Sequence, residues 1–240
     1  IIIINSSIFS QSLITDRPDQ TESALTVPKN SLQIESGFIY ENFNENGAFT
    51  NNYSIAGTLL RYGLTSVLEL RLGTAYLISK ARITNLGFDN VLTGIKLNLA
   101  TEEEELFNFA LFAHVYLPIG RSYFTSPSLE PELIAALSKS LSNNISLSGN
   151  LGSIYNSSIR NTVFFYTTAI GISLNDQIGM FIEVYGEIIS EIIASNYFDG
   201  GFTYLFSNDL QIDISAGKGI SESATAWFLS AGIAIRFNKL

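Results

Sequence analysis

Apolar and polar residues alternate along most of the chain with a period of two. In residues 66–79, for example, Leu68, Leu70 and Leu72 fall on one face, while Glu69 and Arg71 fall on the other. Successive side chains of a β-strand point to opposite faces of its sheet, so this period predicts strands rather than helices. The chain is therefore predicted to be all-β.

The alternating segments are unusually long for strands of a soluble protein. Each spans about 10–14 residues, whereas a soluble strand commonly has five or six, and a tilted strand needs roughly 9–11 residues to cross a membrane. About twelve such segments predict a transmembrane up-and-down antiparallel β-barrel. The predicted strands are 31–43, 52–63, 66–79, 90–100, 106–118, 129–142, 144–155, 162–174, 178–188, 197–206, 209–218 and 225–237.

The connections between these segments are predicted to alternate in length. Short turns are predicted at 64–65, 101–105, 143, 175–177 and 207–208, and longer loops at 44–51, 80–89, 119–128, 156–161, 189–196 and 219–224. Outer-membrane barrels have short periplasmic turns and longer external loops. Both termini are therefore predicted to be periplasmic.

Composition agrees with a barrel in the bacterial outer membrane. The mean hydropathy is +0.25 although the sequence has no apolar run of the roughly 18 residues that a membrane helix needs, and lipid-facing strand residues explain that value. The formal net charge of −9 is the wrong sign for a nucleic-acid partner. Without cysteine the chain has no disulfide, no thiolate nucleophile and no zinc–thiolate site.

One alternative fold has the same alternation but the opposite orientation. In a soluble lipocalin-like barrel or sandwich the apolar faces would point inward. The charged strand residues would then lie on the outside: Glu35, Glu69, Arg71, Lys96, Glu183 and Asp213. Strand length and loop pattern favour the membrane barrel.

The first ten residues are open to two interpretations. Ile1–Ile4 followed by small polar residues up to Ser10 is typical of the end of a signal peptide, although the basic region that should precede it is absent. A short N-terminal strand is the other interpretation. We expect three segments: residues 1–10 as this remnant or strand, 11–30 as an N-terminal segment, and 31–240 as the barrel.

Several short motifs stand out along the chain. Three lie near its start, TDRPDQTES at 15–23, TVPKN at 26–30 and LQIESGF at 32–38; further ones are LLRYGL at 59–64, ELR at 69–71, GIK at 94–96, GGFTY at 200–204 and NDLQ at 208–211. Together they resemble a family of Gram-negative outer-membrane barrels labelled "putative MetA-pathway of phenol degradation" or transporter-like, whose N-terminal signature is similar to the first three. Asn30 stands where the family commonly has glycine, and asparagine tolerates a left-handed turn. The resemblance implies an outer-membrane barrel with a transport role.

The polar faces of the strands are predicted to line the lumen, because a charged side chain facing lipid at mid-depth costs about 2–4 kcal/mol. One interpretation is an ion-pair ladder within the wall, such as Glu69 beside Arg61. The other is a set of residues that select a permeant solute. The predicted lumen residues are Glu35, Glu41, Arg61, Glu69, Arg71, Lys96, His114, Glu132, Glu183, Glu187, Asp213 and Arg236.

The segment before the first strand is a candidate plug. Pro18 and Pro28 disfavour a central strand, and Asp16, Arg17, Asp19 and Glu22 are polar enough for a wet lumen. We expect Arg17 to pair with carboxylates of the wall. The alternative is a flexible periplasmic leader.

The function predicted from these features is a channel or transporter for small solutes, aromatic or apolar in kind, through a narrow polar lumen. A non-conducting structural or accessory subunit of an outer-membrane assembly is the alternative, so the expected partners are lipid, a small solute and protein neighbours. Catalysis is not expected, because His114 has no serine two residues further along its strand. No cofactor or metal is predicted, and the acidic run at 102–105 is interpreted as a solvated turn.

Overall fold

A computed structural model describes residues 13–45, 48–119, 123–189, 192–221, 224 and 226–238 of the chain. The elements found in these ranges are β-strands. No helix long and apolar enough to cross a lipid bilayer is present among them. The strands are β1 (Leu32–Glu45), β2 (Ala48–Gly63), β3 (Leu68–Lys80), β4 (Thr84–Phe88), β5 (Val91–Ala100), β6 (Asn108–Leu117), β7 (Glu130–Ser140), β8 (Ile145–Asn156), β9 (Asn161–Ser173), β10 (Ile178–Ile189), β11 (Ile192–Ser207), β12 (Leu210–Gly219) and β13 (Ala226–Phe237).

The strands form one closed antiparallel barrel. Each strand from β5 to β13 pairs with the next along the chain. The first and last strands pair from Leu32 opposite Phe237 to Phe43 opposite Ala226. The pairings of β1 with β2, of β2 with β3 and of β3 with β5 complete the ring. Closure matters for a barrel in lipid, because an open edge would leave backbone N–H and C=O groups without partners.

The short strand β4 is a continuation of β5 rather than an additional wall strand. Both pair with β3: Phe88 of β4 lies opposite Tyr76, and Leu92 of β5 lies opposite Gly73. Between them, the backbone N–H of Asp89 donates to the carbonyl of Ala75 at 2.9 Å. The two therefore form one bent strand, and the wall has twelve strands, as the sequence predicts.

The predicted turns are confirmed at one end of the barrel, which we call the turn end. There the strands are joined by residues 64–67, 101–107, 141–144, 174–177 and 208–209. The start of β1 and the end of β13 lie at this same end, since Leu32 pairs with Phe237. The opposite end, called the loop end, carries the remaining connections.

Three of the predicted longer loops are wrong. The regions 44–51 and 189–196 belong mostly to strands, because β1 and β2 are separated only by residues 46–47 and β10 and β11 only by residues 190–191. The region 80–89 contains β4. Polar residues suggest loops in these regions, yet in the first of them Asn51 pairs across strands. Its Oδ1 atom accepts hydrogen bonds from the Asn42 amide at 2.9 Å and from the Tyr40 hydroxyl at 2.7 Å.

The orientation of the two faces excludes the soluble alternative. Most strand residues that carry charge point inward and are buried; Glu69 and Lys96 are 0% exposed and Asp213 is 3% exposed. Large apolar residues point outward, and Leu72 and Ile214 are 46% and 58% exposed. Such a surface is stable against lipid, whereas in water a continuous apolar band of this kind would drive association.

Candidate functional site

Residues 13–31, which we call the inner segment, lie inside the barrel against side chains of many wall strands. At the turn end the backbone N–H of Asn30 donates to the carbonyl of Gly63 at 2.7 Å, and the backbone of Lys29 forms an isolated parallel β-bridge with Gly63. The φ of Asn30 is 59°, the left-handed turn geometry expected at this position. The segment therefore returns to the wall just before β1 begins.

The inner segment folds back on itself within the lumen. The carbonyls of Ile14 and Leu25 both accept hydrogen bonds from the Arg61 guanidinium, at 3.3 Å each. The two limbs of the inner segment, before and after its turning point, therefore lie beside the same side chain. Between the limbs is the tip, residues 17–22, which reaches the far wall. There the backbone N–H of Gln20 donates to Glu183 at 2.7 Å, and that of Glu22 donates to Asn150 at 2.7 Å.

A basic cluster of Arg61, Arg71 and Lys96 holds one side of the inner segment. Arg61 binds Glu69 on the adjoining strand, with Nε 2.9 Å from Oε1, as the sequence predicts for this pair. Arg61 also contacts Glu35 at 2.7 Å. All three cations are buried, and so are these two carboxylates. The wall therefore carries an ion-pair network rather than isolated charges.

Asp16 connects the inner segment to this basic cluster. Its Oδ2 atom is 2.7 Å from Nη1 of Arg71, 3.1 Å from Nη1 of Arg61 and 3.3 Å from Nζ of Lys96. Glu22 binds Arg71 as well. Buried charges need such compensation, because an unpaired one loses its hydration with nothing in return. The network thus includes carboxylates from both the wall and the segment.

Arg17 makes the corresponding contact on the opposite wall. Its Nη2 atom lies 3.0 Å from Oδ1 of Asp213 and 3.1 Å from the Ser230 hydroxyl. The guanidinium occupies space over Gly37 and Gly232, where an added Cβ would lie 2.3–2.5 Å from its atoms. Those two glycines face each other across β1 and β13, so they form a flat patch that admits the arginine.

The remaining contact of the tip involves Thr21. Its hydroxyl lies 2.7 Å from the Thr167 hydroxyl on β9 and also bonds to Glu183 on β10. Thr21 and Glu183 are buried. The tip is therefore held to β8, β9, β10, β12 and β13 as well as to the basic cluster, and it spans the lumen from one wall to the other.

Space remains on the loop-end side of the tip. Three adjoining cavities of about 250, 400 and 360 Å³ share tip residues in their linings. Aromatic side chains contribute to the two larger ones, including Phe43, Phe228, Tyr197, Tyr185 and Phe165. The volumes of the two larger cavities fall within the range of small-molecule sites.

The family with the description "Putative MetA-pathway of phenol degradation" matches residues 15–237. The chain belongs to this family. Both the barrel and all of the inner segment from Thr15 onward fall within the match. No curated protein matches the chain in sequence.

Several solved structures share the fold. The COG4313 outer membrane channel from Pseudomonas putida F1 superposes with a TM-score of 0.69 at 12% identity, covering 90% of this chain and 98% of the channel. The NanC porin gives 0.55 at 8% identity, covering 85% of this chain and 98% of the porin. The KdgM porin, solved with disordered oligogalacturonate, gives 0.57 at 7% identity and covers 86% and 99%. The chain thus has the fold of an outer-membrane β-barrel.

The residues predicted for the lumen lie on the inner face of the wall, but they do not form one site. Glu35, Arg61, Glu69, Arg71 and Lys96 belong to the ion-pair network described above. Glu41 and Glu187 line the 400 Å³ cavity, on the loop-end side of the tip. Three others form separate contacts of the wall or tip, namely Glu132, Glu183 and Asp213.

Two further predicted residues are paired locally. His114 Nδ1 lies 2.7 Å from Oε2 of Glu132 on the neighbouring strand. At the turn end Nη2 of Arg236 lies 2.8 Å from Oδ1 of Asp209. The first contact joins adjacent strands of the wall, and the second joins β13 to the turn that precedes β12.

Sequence reasoning missed several inward polar residues. Asp199, Asn150, Gln33 and Asn98 are buried in the lumen. Asp199 shares a face with Tyr197 and Thr203, so the alternation of β11 contains the signal that would find it. Asn150 and Asn98 carry no charge, and uncharged polar residues do not mark a lumen face from the sequence alone.

Proposed function

We propose that this protein is a channel of the bacterial outer membrane for small solutes of an apolar or aromatic kind, with its termini in the periplasm. The observation that carries the proposal is the division of the lumen along its axis. The inner segment crosses the lumen and is hydrogen-bonded to opposite walls, while cavities open on its loop-end side. In this arrangement the inner segment is the constriction of the channel.

The lining of the cavities supports the choice of solute. Phe43, Phe228 and Tyr197 line one cavity, and Phe165 and Tyr116 line the next. Aromatic side chains bury apolar and aromatic solutes favourably. The family description refers to phenol degradation, and the solved structures with a similar fold are an outer-membrane channel and porins, which agrees with transport.

A role as channel rather than enzyme is favoured by the surroundings of His114. A serine hydrolase needs a serine hydroxyl that is hydrogen-bonded to a histidine. The hydrogen bond of His114 within the described residues is to Glu132, and its ring packs against Phe112 at 5.6 Å between centroids. We therefore assign His114 to the wall.

One observation favours the second candidate, a non-conducting subunit of a larger assembly. The inner segment is held by buried ion pairs on two sides, through Asp16 and through Arg17. A segment anchored in this way that never moved would close the lumen. The two candidates therefore differ in whether the segment can be displaced.

A reversible crosslink between the segment and the wall tests the channel. The natural chain has no cysteine, so a Thr21→Cys/Thr167→Cys variant introduces a single pair, at side chains whose oxygens are 2.7 Å apart. We expect the reduced variant to conduct in planar bilayers and the oxidised variant to conduct several-fold less, with dithiothreitol restoring the current. The matched control is Ser36→Cys/Thr58→Cys, a wall pair whose oxygens are 3.0 Å apart.

The outcomes separate the candidates. Current that responds to oxidation only in the tip variant supports a channel gated by the inner segment. Current that is the same in both redox states contradicts a constriction at the tip. Absence of current in the reduced variant and in the natural chain contradicts the channel and favours the non-conducting subunit.

A further inference from the structure

The 400 Å³ cavity on the loop-end side of the tip is lined by three carboxyl groups for which the described residues supply no cation, those of Asp19, Glu41 and Glu187. The two other charged residues of the lining, Asp16 and Arg17, are each paired with partners on the wall. Acidic groups therefore outnumber basic groups in this lining.

Two more carboxyl groups without an ion pair lie in the wall towards the turn end. Glu183 and Asp199 face each other across β10 and β11, and Asp19 brings a third carboxyl group close to them. Asp199 is completely buried, its carboxyl lies within hydrogen-bond reach of the Glu183 carboxyl, and no N–H or hydroxyl group of the described residues donates to it. The buried hydroxyl of Ser215, on the adjoining strand, has no partner there either.

Such a group of carboxyls requires either bound protons or a bound cation. An unpaired carboxylate in a buried site costs several kcal/mol, and a cation beside it removes most of that cost. In the basic cluster the cations come from Arg61, Arg71 and Lys96 of the wall itself. On the β10–β11 side the described residues supply no corresponding cation.

The aromatic part of the lining shows which kind of cation fits. Tyr185 and Tyr197 are cross-strand partners that lie on the same face as the Glu183–Asp199 pair, two residues nearer the loop end. Their rings stack with centroids 5.1 Å apart and an interplanar angle of 10°. Phe43 and Phe228 line the same cavity. Aromatic faces combined with carboxylates are the usual setting for organic ammonium ions, which are weakly hydrated and bind the faces of rings.

We propose that this cavity binds organic cations, namely quaternary or protonated amines with a small aromatic or alkyl body. The ammonium group would lie among Asp19, Glu41 and Glu187, and the body would pack on the Tyr185–Tyr197 pair. The proposal rests on the proposed function and narrows it, since it adds a positive charge to the small aromatic or alkyl body of the solute that the channel admits. Binding itself does not require conduction.

The test uses a series of ligands with one shape and different charge. Benzyltrimethylammonium is a permanent cation, benzyl alcohol is neutral, and benzenesulfonate is an anion. Calorimetric titration of the full chain in detergent should show benzyltrimethylammonium binding at least tenfold more tightly than benzyl alcohol, with benzenesulfonate weakest. The affinity for benzyltrimethylammonium should fall as the salt concentration rises, because the attraction is electrostatic.

Two variants locate the site. Glu41→Gln/Glu187→Gln should weaken benzyltrimethylammonium at least tenfold and leave benzyl alcohol unchanged, while Tyr197→Leu should weaken the cation about fivefold. The matched control, Glu103→Gln/Glu104→Gln, removes two exposed carboxylates at the turn end and should leave binding unchanged. Migration of the unheated protein in gel electrophoresis shows that each variant is folded.

Three results would overturn the proposal. They are absence of benzyltrimethylammonium binding to the natural chain, equal affinity for the cation and the alcohol, and unchanged affinity in the folded double variant. The first result would also indicate that the carboxyl groups in and below the cavity are protonated and bind no cation. Failure of the channel function can be distinguished from failure of the cation site. Cation binding without any bilayer current would support the site and contradict conduction.

Discussion

Arg17 of the inner segment donates to Asp213 of β12 across 196 positions of the chain, with Nη2 3.0 Å from Oδ1. The same nitrogen lies 3.1 Å from the Ser230 hydroxyl on β13. Asp213 is almost fully buried, while the Arg17 side chain retains 16% exposure. This contact holds the tip against the wall opposite the basic cluster, so the tip is anchored on both sides of the lumen.

We expect Arg17→Ala to loosen the tip. Hydrogen bonds to charged groups contribute about 1.5–3 kcal/mol, and the variant also leaves the Asp213 carboxylate without a cation. Bilayer recordings should show a larger or noisier current than the natural chain gives. The control is Arg82→Ala, an exposed cation near the loop end; an equal change in that variant would contradict a specific role of Arg17.

Gly232→Ala should displace the Arg17 guanidinium. An added Cβ would lie 2.3 Å from Nε, and that group cannot move away without losing Asp213. The current should resemble that of Arg17→Ala, and the double variant should add little, since both changes remove one interaction. Gly57→Ala is the matched control, because its Cβ would meet the Ser54 hydroxyl at 3.2 Å. Additive effects of the two changes would contradict the shared mechanism.

Glu69→Gln should be strongly destabilising. The carboxylate accepts from Arg61, from Arg71 and from the backbone N–H of Val27, and all of these groups are buried. Breaking a buried ion pair from one side costs about 3–5 kcal/mol. Urea unfolding in detergent or vesicles measures the loss. Glu104→Gln at an exposed turn should change stability by less than about 0.5 kcal/mol, and a similar loss there would argue against the network.

The turn-end contact between Glu102 and Ser140 should weaken in acid. The backbone N–H of Ser140 donates to both oxygens of Glu102 at 2.9–3.1 Å, which lowers the pKa of this carboxyl from its ordinary value of 4.5. A carboxyl with a lowered pKa stabilises the fold fully above its ordinary value, and this contribution disappears as pH falls through the folded-state pKa. The Ser140 amide resonance should therefore titrate below pH 4.5, and Glu102→Gln should abolish the titration.

Much of the wall is predictable because strand alternation is a local property. The inward set from Glu35 to Arg236 follows from parity along each strand, and the lipid requirement decides which face points outward. The Glu69–Arg61 pair is also predictable, since neighbouring strands of a meander lie side by side. The extension of the β1–β2 hairpin at the loop end is not predicted, because the polar residues of 44–51 suggest a loop, whereas in the fold Asn51 is paired with Asn42 and Tyr40 of the neighbouring strand.

The tertiary structure alone decided which charges are compensated. From the sequence, Asp16, Arg17, Asp19 and Glu22 are four similar charged residues before the first strand. In the fold Asp16 joins the basic cluster and Arg17 joins Asp213, while Asp19 lies close to Glu183 and Asp199 and forms no ion pair with any described residue. Alternation determines the face of each residue, but register, barrel closure and the path of a non-repetitive segment determine its neighbours. Charge compensation depends on those neighbours, because Coulomb attraction acts over a few ångströms of space and not along the chain.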